Sequence, residues 1–120
     1  MTERAEALRA LVERVEGPTR PGQFAPWIGN ELIAQLDAAR LHRQDMVAAQ
    51  GGSLDAVARL EAPLIERGWR LHVKKGDGRA ARARLFKNDR EHRSYWFAPT
   101  EARARLLAVL KALLWEEERA

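Results

Sequence analysis

Leu8, Leu11, Val12 and Val15 recur at i, i+3, i+4 and i+7, a stripe that predicts an amphipathic helix near the start of the chain. Thr2 stands where an N-cap is wanted, Glu3 falls in the first turn, and Gly17 with Pro18 ends the pattern. The stretch "GPTRPGQFAP" holds three of the five prolines, which predicts an irregular connection anchored to the core by Phe24 and Trp27. A second helix is expected from Pro26 or Asn30 into the mid-forties, with Ile28, Leu32, Ile33 and Leu36 on one side. "AAQGGS" interrupts it, and Ser53 is read as the N-cap of a third helix with Leu54, Val57, Leu60, Leu64 and Ile65 as its apolar positions. Pro63 removes one backbone hydrogen bond from that helix, so a kink or an early stop before Gly68 is expected.

From Trp69 the period shortens to two. Trp69, Leu71 and Val73 alternate with Arg70, His72 and Lys74, the signature of a strand with one apolar and one cationic side. "KGDG" supplies the Gly and Asp that tight hairpin turns require, and a second strand sets Ala81, Ala83 and Leu85 against Arg82, Arg84 and Phe86. "SYWFA" reads as a third strand, with Tyr95 and Phe97 on the apolar side and Ser94 and Trp96 on the open side. After Pro99, Thr100 is expected to cap a last helix carrying Ala102, Leu106, Val109, Leu110, Leu113 and Leu114. Its acidic end, Glu116 to Glu118, opposes the helix dipole and is expected to fray. Together these elements predict an α+β fold in one domain of 120 residues. Residues 1–50 form a helical N-terminal part, and residues 53–116 an αβββα unit, a three-stranded antiparallel meander with the C-terminal helix packed on it.

Composition adds limits to this picture. A hydrophobic fraction of 46% with 32% charged residues belongs to a folding domain rather than a disordered tail. No apolar run reaches the roughly 20 residues of a membrane helix, and the N-terminus lacks the pattern of a signal peptide, so a cytoplasmic protein without a membrane partner is expected. Cysteine is absent, which excludes disulfides, thiolate nucleophiles and sulfur-ligated zinc. The net charge is +4, yet the span from Arg67 to Arg93 holds ten Lys and Arg against three Asp and Glu. The positive charge is therefore concentrated in the strands.

Candidate chemistry is sparse. His42, His72 and His92 are scattered among charged residues, and His42 with Asp45 at i, i+3 makes only two of the ligands a metal site needs. Ser53 and Ser94 stand in no nucleophile elbow, and "KGDG" lacks the ending of a phosphate loop. The expectation is a non-enzymatic protein with no cofactor. What stands out is the cationic side of the strands: Arg70, His72, Lys74, Lys75, Arg79, Arg82, Arg84 and Lys87, with Trp96 among them, a set able to grip phosphates and stack on bases. The competing account is a solvated sheet face. A solvated face usually mixes signs, whereas Trp69–Gly76 and Arg79–Lys87 contain no Asp or Glu.

Two resemblances bear on function. The order helix, three strands, helix from Leu54 to Trp115 is similar in outline to a double-stranded RNA-binding domain. Its last helix opens "TEARARL", however, with Glu101 where that family carries a lysine cluster. More of the chain resembles the phage ABA-sandwich domain family. The matching pieces are "LVERVEGPTR", the helix start Ser53 to Ala56, the strand entry Gly68 to Arg70, and the "APTEARARLLAVLKAL" helix. That resemblance implies a phage or prophage accessory protein and no catalytic residues. With the size and the basic strands, it leads to the expectation of an anti-CRISPR-like inhibitor whose partner is a host nucleic-acid-targeting defence protein or ribonucleoprotein. The alternative is a module that binds DNA or RNA directly through the basic sheet face. Mimicry of DNA, which needs an acidic surface, is excluded by the charge.

Overall fold

A computed structural model describes residues 2–16, 30–75, 81–87, 92–98 and 100–119, giving the backbone alone at 16, 30–32, 75 and 92–97. The expectations for Gly17, Pro18, Phe24, Trp27, Ile28, the "GDG" turn, Arg79 and Pro99 lie outside the described residues. The fold is α+β: α1 (Glu3–Glu16), α2 (Asn30–Ala38), α3 (Arg43–Gln50), α4 (Leu54–Glu66), β1 (Arg70–Lys75), β2 (Ala81–Lys87), β3 (His92–Ala98) and α5 (Glu101–Arg119).

Helix starts follow the side-chain chemistry of their caps. The hydroxyls of Thr2, Ser53 and Thr100 accept from the amides of Ala5 (3.1 Å), Ala56 (3.2 Å) and Arg103 (3.2 Å). Helix ends repeat one device. At the end of α4 the amides of Trp69 and Gly68 donate to the carbonyls of Leu64 and Ile65, closing a Schellman turn around Gly68 at φ 96°. Ser53 and Gly52 close α3 in the same way on Ala48 and Ala49, with Gly52 at φ 108°. The third instance splits the single helix expected from Asn30 to the mid-forties. Leu41 and Arg40 donate to Leu36 and Asp37, and Arg40 takes φ 60° where glycine is usual. Helix α4 runs on through Pro63, which sits in its last turn and costs a hydrogen bond only there.

The core is built around α5. Ala102, Ala104, Leu106, Leu107, Ala108, Val109, Leu110, Ala112 and Leu113 are all buried, more of the helix circumference than a surface helix hides. The sheet lies against one side of α5, and α1, α3 and α4 lie against others. Buried Arg103 of α5 donates to the carbonyl of Val15 at 3.0 Å, holding the last turn of α1.

The acidic end of α5 does not fray as expected, but continues to Arg119 because cations from other elements meet it. Glu116 accepts from Arg67 Nε (2.9 Å) and Trp69 Nε1 (3.0 Å), Glu117 from Thr2 (2.9 Å) and Arg4 (3.4 Å), and Glu118 from Arg9 (3.0 Å). Burial pushes the Glu116 carboxyl up, but the bonds from Arg67 and Trp69 outweigh it and hold it below the ordinary carboxylate range. These contacts tie both the N-terminus and the α4–β1 corner to α5.

Candidate nucleic-acid interface

The sheet is antiparallel with order β1-β2-β3. Ala81, Ala83, Leu85 and Ala98 are buried beneath α5, so the small residues of β2 and β3 let the helix approach closely. Residues directly opposite each other in an antiparallel pair share a side of the sheet, and the register therefore settles which positions belong to the other face. That face has three rungs: Arg70, Phe86 and Arg93; His72, Arg84 and Tyr95; Lys74, Arg82 and Phe97. Every rung combines at least one arginine with one aromatic position.

Side chains are described at six of these nine positions. Arg70, His72 and Lys74 are exposed on β1, while Arg82, Arg84 and Phe86 are half-buried on the central strand. The Arg84 guanidinium lies over the Phe86 ring, 4.9 Å from its centroid, a cation–π contact that flattens the arginine along the face. Arg84 Nε is buried without a hydrogen-bond partner. Among the described residues Arg70, His72, Lys74 and Arg84 form no ion pair with a carboxylate. Exposed cations without carboxylate partners make a surface suited to an anionic ligand.

The sequence-derived site needs four corrections. Trp96, expected beside the arginines, stands opposite Ala83 on the helix-covered side of the register, and Tyr95 and Phe97, expected in the core, stand opposite Arg84 and Arg82. The parity of "SYWFA" was ambiguous because four of its five residues are apolar. The deciding residue is Ala98, which pairs with buried Ala81 and so brings Trp96 to that side. Lys75 pairs with Ala81 and likewise belongs to the covered side. Lys87 pairs with His92 at that same parity, and its charge helps to lower Glu116, so it serves the α5 contacts rather than the open face. Arg67 is also spent on Glu116, which reduces the charge available to a ligand.

The alternative chemistries gain no geometry. His42 Nδ1 lies 3.8 Å from Asp45, whose other oxygen accepts from Arg59 at 2.8 Å, an exposed surface cluster. Among the described residues no group of three His, Cys, Asp or Glu is placed to hold a metal ion. Glu101, where a lysine cluster was wanted, accepts from Arg105 at 3.1 Å, and Arg105 in turn binds buried Glu61 through two nitrogens. That corner is structural. The described residues define an α+β protein whose second sheet face carries exposed Arg70, His72 and Lys74 beside half-buried Arg82, Arg84 and Phe86. Comparison with family models, with curated proteins and with solved structures returns no match.

Proposed function

We propose that this chain is a non-enzymatic nucleic-acid-binding module that grips its ligand on the sheet face of Arg70, His72, Lys74, Arg82 and Arg84. The observation that carries this reading is the register, which puts at least one arginine and one aromatic position on each of the three rungs of one face. Arginine suits phosphate through its planar fork, and aromatic rings suit the π-faces of bases. A face evolved only for solubility has no need to bring Tyr95 and Phe97 among its cations.

The phage-type inhibitor of a host nucleic-acid-targeting complex remains a second reading, which would set the same face against such a complex. Its support is the sequence motifs, and three of them coincide with helix-end chemistry: Ser53 and Thr100 cap, and Gly68 closes a Schellman turn. An affinity pull-down from a bacterial lysate treated with nuclease separates the two. Recovery of one defence protein after nuclease treatment supports the inhibitor; direct binding of purified protein to bare oligonucleotide supports the module. The charge-reversal variant Arg84→Glu should abolish the latter, and unaltered oligonucleotide binding by that variant overturns the assignment of the face.

A further inference from the structure

Resting on the nucleic-acid reading, we infer that the ligand is a splayed single strand, whose consecutive bases are taken by consecutive rungs of the sheet. Residues of one face are two apart along a strand, so adjacent rungs lie about 6.8 Å apart. Within one strand of a duplex the bases stack about 3.4 Å apart. Bases seated on adjacent rungs are therefore drawn away from each other, which a paired strand achieves only by unstacking at every step. A single strand has no pairing to lose.

The aromatic positions fit that repeat. Phe86, Tyr95 and Phe97 fall on successive rungs, one to each. Phe86 already carries the Arg84 guanidinium on one side, and the buried Nε of Arg84 is a donor without an acceptor. The half-buried Arg84 guanidinium, which forms no ion pair among the described residues, meets a phosphate when the adjoining base settles on the rung. The cations Arg70 and Lys74, exposed on β1, add phosphate contacts at the edge of the rungs that carry Phe86 and Phe97. A duplex presents only phosphates to such a face, and loses the aromatic contribution entirely.

The test is fluorescence anisotropy with the intact chain at low salt, using one short labelled sequence as single-stranded DNA, as single-stranded RNA and as duplex DNA. Either single strand should bind at least tenfold more tightly than the duplex, and the two single-stranded arms identify the sugar. Phe86→Leu, which keeps apolar volume, should lower single-strand affinity about tenfold and lower duplex affinity less, narrowing the gap between them. Equal affinity for duplex and single strand overturns this inference while leaving the nucleic-acid function standing. No binding to any of the three overturns both. Photo-cross-linking of a halogenated-uracil single strand, mapped to residues, gives a readout independent of variant folding. Adducts at Phe86, Tyr95 or Phe97 support the rungs; adducts confined to Trp96 overturn them.

Discussion

Glu61 and Arg105 hold α4 to α5, and removing both should cost less than the sum of removing each alone. The Glu61 side chain is 4% exposed and that of Arg105 14%, and two guanidinium nitrogens of Arg105 reach its two oxygens. Pairing by hydrogen bond raises the already high Arg105 pKa against the opposing effect of burial, so the guanidinium stays charged. Breaking a buried pair from one side costs about 3–5 kcal/mol, because the survivor is left uncompensated. For Glu61→Ala the lower end, about 3 kcal/mol, is expected, since Glu101 still holds Arg105. Arg105→Ala strands the more deeply buried carboxylate and should cost about 4 kcal/mol. Replacing both by Ala should cost about 5 kcal/mol, about 2 kcal/mol under the sum of the single changes. Equilibrium urea unfolding followed by tryptophan fluorescence reads these values. With m of about 1–3 kcal/mol per molar urea, Glu61→Ala moves the midpoint by one to three molar at unchanged m. A Glu61→Ala protein within about 0.5 kcal/mol of wild type would refute the claim that this corner is an interdependent buried pair.

Arg40→Gly should stabilise by about 0.5–1 kcal/mol, because relief of the φ 60° strain exceeds the entropy glycine adds to the unfolded chain; thermal denaturation reads it as a higher Tm. Gly68→Ala should lose about 1 kcal/mol through the positive φ of 96° alone, since the nearest atom to the added Cβ is the flexible Lys87 Cε at 4.0 Å. Glu116 has a folded pKa held below its ordinary 4.5, so its contribution is complete above that value and is lost as the pH falls through the folded pKa. The gap in Tm between wild type and Glu116→Gln should therefore be present at neutral pH and close in acid.

What the sequence disclosed and what it hid divide along physical lines. Thr2, Ser53 and Thr100 were readable because an N-cap is a local bargain between one hydroxyl and an amide three residues on. The turn at Arg40 was not, since its signal is normally a glycine and the chain supplies an arginine. The acidic end of α5 misled for a related reason: the helix dipole is local and visible, whereas Arg4, Arg9 and Arg67 arrive from distant elements. The candidate face was half legible. Alternation alone assigned Arg70, His72, Lys74, Arg82 and Arg84 to one side, but β3 is apolar at either parity, and only its pairing with β2 resolves which side each residue joins. Two of the residues that make the face more than a patch of charge, Tyr95 and Phe97, were thereby hidden in the expected core.

The most direct test of the nucleic-acid account is the salt dependence of single-strand binding. Arg70, Lys74, Arg82 and Arg84 are four permanent cations on the face, and neutralising four phosphates of a single strand gives a log–log slope of about −3. Affinity should then fall about 50-fold between 50 and 200 mM salt, and the double variant Arg70→Ala/Lys74→Ala should halve the slope to about −1.4. An affinity that changes less than about twofold over that range, or a double variant with the wild-type slope, contradicts the assignment of this face to nucleic acid.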